Sequence, residues 1–128
     1  MKALLDSHAF IWWVLDAPQL SSRCRAILGD LSNDIVMSVA SAYEIAYKAE
    51  RGRLTLPESP TQYLRDRLAA NAFGSLAIDL SHALRAATLP AIHGDPVDRI
   101  IVAQAQIESL PILTADPAIS RYDVETIW

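Results

Sequence analysis

The chain has 128 residues, which is the size of one domain and enough to bury a hydrophobic core. Hydrophobic residues make up 52% of it and charged residues 20%, a balance that excludes an intrinsically disordered protein. The net charge of −4 argues against a protein that coats nucleic acid with a basic surface, although a cation among clustered carboxylates would reverse the local field. No apolar run is long enough to span a membrane, and the single cysteine, Cys24, cannot form an internal disulfide. No secretory leader is recognisable either, so we expect a cytoplasmic protein without membrane contact.

The hydrophobic pattern predicts strands that alternate with helices along the whole chain. Five short strands are expected, over residues 3–5, 35–37, 75–78, 112–113 and 124–127. Helices are expected from about residue 7, from residue 21 or 22 to 28, and over residues 41–51, 61–72, 81–88 and 97–109. This alternation predicts a single α/β domain over residues 1–128, with three layers and a central parallel sheet of four or five strands.

Four acidic residues are expected at one edge of that sheet. Asp6 directly follows the first strand, and Asp116 lies just past the fourth. Glu44 is in the first turn of the helix after the second strand, and Asp98 opens the helix before the fourth. Ligands of open parallel sheets bind beyond the carboxyl ends of the strands, so all four acids can face one site.

Each of these acids also has a structural interpretation. Ser41-x-x-Glu44 fits a capping box, in which the glutamate closes the start of its helix. Asp98 fits a first-turn acid favoured by the helix dipole, and Asp116 fits a turn. Asp6 is the hardest to explain in this way, because an acid at the end of an apolar strand is costly without a partner.

Clustering favours a metal site over four separate structural roles. Carboxylates within a few ångströms of one another repel unless a cation lies among them. No set of Cys or His residues has zinc-binding spacing, and ligand sets made of oxygen alone select Mg²⁺ or Mn²⁺. Mg²⁺ held by carboxylates suits phosphodiester cleavage. Asp95, which precedes a proline, is interpreted as a helix N-cap rather than a ligand.

The four acids lie in four successive motifs: Leu4-Leu5-Asp6-Ser7-His8, Ser41-x-x-Glu44-Ile45, His93-x-Asp95-Pro96-x-Asp98-Arg99 with Ala103-Gln104-Ala105, and Leu113-Thr114-Ala115-Asp116. Together they resemble the motifs of PIN-domain proteins, in particular the VapC-type toxins of bacterial toxin–antitoxin pairs. The resemblance covers essentially the whole chain. No single motif is specific for that family. Four motifs in this order, each with its acid, are specific together.

The resemblance implies a PIN-like fold and a set of metal-binding acids at Asp6, Glu44, Asp98 and Asp116. Ser7 stands where many members have threonine, and Thr114 matches a hydroxyl near the metal site. The resemblance further implies an endoribonuclease that acts on structured RNA and is often a homodimer. Such an enzyme is held inactive by a small VapB-like antitoxin in its groove.

Several basic residues are candidates for contact with RNA or phosphate. Lys48, Arg51 and Arg53 form the densest basic cluster, on or just beyond the helix of Glu44. Lys48 is four residues from Glu44, so an ordinary helix pair is its default interpretation. Arg99 follows an acid of the site directly and is a further candidate, which could hold an acid or a phosphate.

Histidines and tryptophans near the motifs have less specific interpretations. His8 and His93 adjoin motif acids and could reach a phosphate, although such histidines are more often structural. Trp12 and Trp13 point about 100° apart on a helix, so the two are not both expected deep in one core. One of them could contribute to a dimer or antitoxin surface.

The predicted function is therefore a Mg²⁺-dependent endoribonuclease, the toxin of a toxin–antitoxin pair. The alternative is a catalytically silent PIN-like module that binds RNA or protein and uses the acids structurally. A receiver-like protein is disfavoured because residues 113–117 offer no lysine, and a D-x-D phosphatase because Asp6-Ser7-His8 lacks the second aspartate. No nucleophilic side chain is predicted.

Overall fold

The chain forms five parallel strands and six helices, with two helices after each of the first three strands, and all 128 residues are described by the computed structural model. The strands are β1 Lys2–Leu5, β2 Asp34–Ser38, β3 Gly74–Leu76, β4 Ile112–Leu113 and β5 Thr126–Ile127. The helices are α1 Ser7–Val14, α2 Ser22–Gly29, α3 Val39–Glu50, α4 Pro60–Ala70, α5 Leu80–Thr88 and α6 Pro96–Glu108. A 3₁₀ turn at Ile119–Arg121 precedes the last strand. The predicted α/β class and parallel sheet are confirmed.

The sheet has the strand order β3-β2-β1-β4-β5 and carries a hydrophobic cluster on each face. Successive side chains of a strand point to opposite faces, so Ala3 and Leu5 of β1 join one cluster and Leu4 joins the other. Helices α1 to α4 contribute to the first cluster, whereas α5 and α6 contribute to the second. Both faces are covered, which explains why the strands are apolar without alternation.

The register of the three central strands brings their carboxyl ends together. Leu5 of β1 pairs with Met37 of β2 on one side and with Leu113 of β4 on the other. The next residues along these chains, Asp6 and Thr114, therefore emerge side by side. This edge of the sheet is where the sequence predicted the site.

The start of α3 differs from the prediction. The helix begins at Val39, and its N-cap is Ser38, whose Oγ accepts a hydrogen bond from Ala40 N at 3.1 Å. Ser41 therefore lies inside the first turn, and its buried Oγ has no hydrogen-bond partner. The predicted capping box of Ser41 and Glu44 is wrong, because β2 runs directly into the helix without an intervening loop.

Other boundaries shift by smaller amounts. Helix α4 ends two residues early, and Ala72 beyond it has a positive φ of 55°. Strand β3 is shorter than predicted at its carboxyl end, and β5 at its amino end. The predicted N-cap role of Asp95 is confirmed, since its Oδ1 accepts from Val97 N at 2.9 Å and from Asp98 N at 3.3 Å.

The two adjacent tryptophans are both partly buried at the rim of the first cluster. Trp13 donates its Nε1–H to Asn71 Oδ1 at 2.9 Å. The ring of Trp12 packs edge-on against Trp128 with centroids 5.7 Å apart. Neither indole is fully enclosed, as the helical geometry predicts. None of the helices has the length and apolar character required to cross a bilayer.

Candidate metal centre

Asp6 is held rigidly where β1 passes into α1. Its Oδ1 accepts a hydrogen bond from Ser7 N at 2.9 Å, and its Oδ2 accepts one from Thr114 Oγ1 at 3.1 Å. The residue is only 5% exposed, and this burial raises the pKa of Asp6 above its ordinary value, with a smaller contribution from the charge of Asp116. His8 and the two hydrogen bonds act in the opposite direction.

The segment after β4 places a hydroxyl and a carboxylate beside Asp6. Thr114 is buried, and its Oγ1 also accepts a hydrogen bond from Asp116 N at 3.1 Å. Asp116 Oδ1 accepts from Ala118 N at 2.9 Å. Asp116 thus has the predicted turn role, and its second carboxylate oxygen remains available to coordinate a cation.

Asp98 approaches the same place from the first turn of α6. Burial, followed by the charges of Asp95 and Asp6, raises the pKa of Asp98 to about 7, and Asp116 adds to the effect. The hydrogen bond with His93, whose Nε2 lies 3.2 Å from Asp98 Oδ2, opposes it. One ligand atom from each of His93, Asp98 and Asp116 lies within 4.8 Å of the other two.

These carboxylates fit a divalent cation. The charge of Asp116 raises the pKa of both Asp6 and Asp98, and the charge of Asp6 adds to the effect on Asp98, so a cation among these carboxylates would relieve the repulsion. Their oxygen donors suit Mg²⁺ or Mn²⁺. A cleft of about 290 Å³ connects Asp6 and Asp116 with the surface, and its other walls are formed by His8, Trp12, Ala115 and Pro117. Ser7 Oγ, buried next to Asp6, has no hydrogen-bond partner.

Glu44, the fourth predicted acid, has different surroundings. Its carboxylate is 3.8 Å from Lys48 Nζ, so the predicted helix pair is present. It faces a neighbouring groove of about 300 Å³ between α3 and the start of α6, which is also lined by Asp95 and Pro96. The structure therefore brings three of the four predicted acids together, whereas Glu44 faces the groove that Asp95 and Pro96 also line.

Arg99 is turned away from the carboxylates. Its guanidinium donates hydrogen bonds to the carbonyl oxygens of Ala86, Leu89 and Pro90, at 2.9, 3.0 and 2.9 Å. These carbonyls belong to the last turn of α5 and the loop after it, where backbone acceptors lack helical partners. Both Nη atoms of Arg99 are thus used in this structural tie, and contact of Arg99 with RNA or phosphate stays a prediction.

The predicted basic cluster surrounds two exposed tyrosines. The guanidinium of Arg51 lies 4.5 Å from the ring centroid of Tyr47, and the rings of Tyr43 and Tyr47 are 5.8 Å apart. Arg53 is exposed and lines the groove of Glu44 with Lys48. Contact of this cluster with RNA stays a prediction.

Sequence reasoning missed the surroundings of His93. Its Nδ1 lies 3.0 Å from the hydroxyl of Tyr122, a buried residue that follows the 3₁₀ turn. The only available signal was the closeness of His93 to Asp98 in one motif. Nothing in the sequence connects Tyr122 with either residue.

A second group of acids and a histidine has a structural explanation. His82 is fully buried, its Nδ1 accepts from Asp79 N at 2.9 Å, and its Nε2 lies 3.0 Å from Glu108 Oε1. Both ring nitrogens are thereby satisfied. This group ties the start of α5 to the end of α6.

Comparison with known proteins agrees with this geometry. The sequence matches the PIN domain family over residues 3–125, so the chain belongs to that family. It is 40% identical over 61 residues to ribonuclease VapC16 of Mycobacterium tuberculosis. That match covers 48% of this chain and 43% of the relative, so the chain spans less than half of that protein's length.

Solved structures share the fold over the full chain. FitAcB of Neisseria gonorrhoeae is 25% identical with a TM-score of 0.70, and the match covers 100% of this chain and 97% of that one. VapBC2 of Rickettsia felis, bound to a promoter DNA fragment, is 14% identical with a TM-score of 0.75 and coverage of 100% and 99%. A toxin–antitoxin complex of Klebsiella pneumoniae is 20% identical with a TM-score of 0.68 and coverage of 98% and 96%. The predicted PIN-like fold is confirmed.

Proposed function

We propose that this protein is a Mg²⁺-dependent endoribonuclease and the toxin of a toxin–antitoxin pair. The observation that carries the proposal is the convergence of Asp6, Asp98 and Asp116 at the carboxyl edge of the parallel sheet. Membership of the PIN domain family and similarity to a ribonuclease support it.

Asp6, Asp98 and Asp116 would hold the cation. Glu44, whose carboxylate pairs with Lys48 at 3.8 Å, would complete the site or hold a water beside it. Bound Mg²⁺ supplies Lewis acidity toward the phosphodiester and a lowered pKa for an attacking water. Mn²⁺ fits the same oxygen donors. The chain's own contribution is to hold the buried Asp6 carboxylate in one orientation, since Ser7 N and Thr114 Oγ1 donate hydrogen bonds to its two oxygens.

The groove between α3 and α6 is the proposed binding surface for RNA. The groove between α3 and α6 starts near Asp95 and is flanked by Lys48 and Arg53. Tyr43 and Tyr47 lie exposed beside it, and exposed tyrosines next to basic groups can stack on unpaired bases. The substrate strand would thus be single-stranded where it crosses α3.

The proposal includes a protein partner and a homodimer. The solved structures similar to this chain include toxin–antitoxin complexes. Large exposed apolar residues support a protein-binding surface: Ile78, Leu80 and Leu84, which are 38%, 75% and 60% exposed at the start of α5 and along it. If the neighbouring reading frame encodes a small protein, co-purification with it, followed by measurement of the mass of the complex, tests both parts.

The decisive experiment incubates the purified protein with RNA in the presence of Mg²⁺, with EDTA, and as the Asp6→Asn variant. Internal cleavage that needs Mg²⁺ and is lost in the variant supports the proposal. Cleavage that persists in EDTA contradicts the metal mechanism. RNA binding without cleavage under all conditions favours the silent module instead.

The toxin role has a separate test in cells. Expression of the wild-type chain should arrest growth, expression of Asp98→Ala should not, and co-expression of a small protein encoded by the neighbouring reading frame should relieve the arrest. Growth arrest that is equal for both chains would contradict a toxin that acts through this centre.

A further inference from the structure

We propose that His93 is a positioning residue for Asp98 and that Tyr122 fixes the tautomer in which it acts. The inference rests on the proposed metal centre. It concerns the hydrogen-bonded chain from Arg99 through Tyr122 and His93 to Asp98.

The contacts of this chain are continuous. His93 Nε2 lies 3.2 Å from Asp98 Oδ2, and His93 Nδ1 lies 3.0 Å from the Tyr122 hydroxyl. The same hydroxyl accepts from Arg99 Nη1 and from His93 N, each at 3.4 Å. The imidazole also packs against the phenol ring, with centroids 5.5 Å apart.

The hydrogen-bond donors and acceptors around Tyr122 determine which ring nitrogen of His93 carries the hydrogen. Two N–H groups already point at the oxygen of Tyr122, so its acceptor capacity is used and its own hydrogen is free to be donated. The available acceptor is His93 Nδ1. In a neutral imidazole the other nitrogen then carries the hydrogen, so Nε2–H donates to Asp98 Oδ2.

This tautomer excludes His93 as a metal ligand and makes it a hydrogen-bond donor to Asp98. Nε2–H cannot coordinate a metal ion, so His93 is not a ligand even though it lies near Asp98 and Asp116. It instead anchors one oxygen of Asp98 and leaves the other free for the cation. Hydrogen-bond partners of ligating carboxylates orient them in this way.

The chain is anchored in rigid structure at its far end. Tyr122 is 5% exposed, so water has little access to replace its hydroxyl. Arg99 is held by three backbone carbonyls around the end of α5. The hydrogen bond of His93 to Asp98 is therefore supported from three segments: the loop of His93, helix α6 with Arg99, and Tyr122 after the 3₁₀ turn.

The experiment uses the full chain labelled with ¹⁵N-histidine, free of metal, at about pH 8, where an ordinary imidazole is neutral. Long-range ¹H–¹⁵N correlation spectra report which nitrogen of His93 carries the proton. We expect Nε2–H in the wild type and a shift toward the Nδ1–H tautomer in Tyr122→Phe. An Nδ1–H tautomer or an imidazolium in the wild type would overturn the proposal.

Calorimetric titration with Mg²⁺ provides the second measurement. Tyr122→Phe and His93→Ala should weaken Mg²⁺ binding about ten-fold or more. His93→Gln, whose amide can still donate to Asp98, should recover most of the affinity. Equal loss in His93→Gln and His93→Ala would mean that the donor has no positioning role. Circular dichroism confirms that each variant is folded.

These readouts separate the inference from the proposed function. If RNA is not cleaved but the tautomer and the Mg²⁺ affinities behave as expected, the positioning role stands and the nuclease proposal fails. If RNA is cleaved while Tyr122→Phe changes neither the tautomer of His93 nor the affinity for Mg²⁺, only the positioning role fails.

Discussion

Thr114 Oγ1 donates a hydrogen bond to Asp6 Oδ2 at 3.1 Å and so joins two residues 108 positions apart in the sequence. The bond connects the carboxyl ends of β1 and β4, the two strands that pair at Leu5 and Leu113. The same hydroxyl accepts from Asp116 N. One buried threonine thereby sets the relative positions of two acids of the candidate metal centre.

Replacing this hydroxyl by a methyl group in Thr114→Val should lower both stability and metal affinity. A hydrogen bond to a charged group contributes roughly 1.5–3 kcal/mol, and its loss leaves a buried carboxylate with one partner fewer. We expect unfolding in urea at lower denaturant concentration and Mg²⁺ binding about ten-fold weaker. Thr114→Ser keeps the hydroxyl and should stay close to the wild type in both measurements. Equal behaviour of the two variants would contradict this role.

Asp6→Asn should abolish RNA cleavage without unfolding the protein. A bound cation contributes several kcal/mol to phosphodiester hydrolysis, so loss of a ligand should reduce the cleavage rate at least about a hundred-fold. The raised pKa of Asp6 means that its charged form is disfavoured in the metal-free fold, so the neutral asparagine should unfold at the same or a higher temperature. Asp66→Asn, at an exposed position on α4, is the matched control and should cleave RNA normally. A cleavage-deficient variant that is also unfolded would leave the mechanism unsupported.

The pKa of Asp98 predicts an unusual pH dependence for the metal-free protein. The carboxyl titrates at about 7 in the folded state and near 3.8 when unfolded, so between these values the folded state binds more protons. Stability in EDTA should therefore fall as the pH rises through this window. Mg²⁺ should reverse the trend, because it binds the deprotonated carboxylate and its affinity increases with pH.

Urea unfolding at a series of pH values, with EDTA and with Mg²⁺, measures this dependence. Asp98→Asn removes the titrating group, so its metal-free stability should change less over the same range. Stability that rises with pH in the metal-free wild type would show that Asp98 is not destabilised by its charge.

Arg53→Ala should weaken RNA binding while leaving the metal centre intact. Arg53 is exposed and forms no ion pair, so its charge is available to a phosphate. Binding of a fluorescent oligoribonucleotide, measured by anisotropy in EDTA, should weaken, and its dependence on the logarithm of salt concentration should fall by about one unit of slope. Arg23→Ala, on the exposed side of α2, is the control of equal charge and should bind RNA like the wild type. Mg²⁺ affinity should be the same in both variants.

Much of the fold could be predicted because its signals are local. Apolar runs such as residues 3–5 and 112–113 mark strands buried on both faces, and Asp95 before a proline marks the start of α6. Boundaries were less certain where two elements adjoin. Ser38 and Ser41 are equally good capping residues in the sequence, and the length of β2 decides between them.

By itself, the sequence determined that Asp6 and Asp116 follow parallel strands, and that the acids would meet at one edge of the sheet. This follows from chain order, because the carboxyl ends of parallel strands meet at that edge. Only the tertiary structure decided which side chains surround the acids. It placed Arg99 on the end of α5, Glu44 beside Lys48, and Tyr122 against His93. Such contacts depend on the packing of segments distant in sequence, and no local pattern records them.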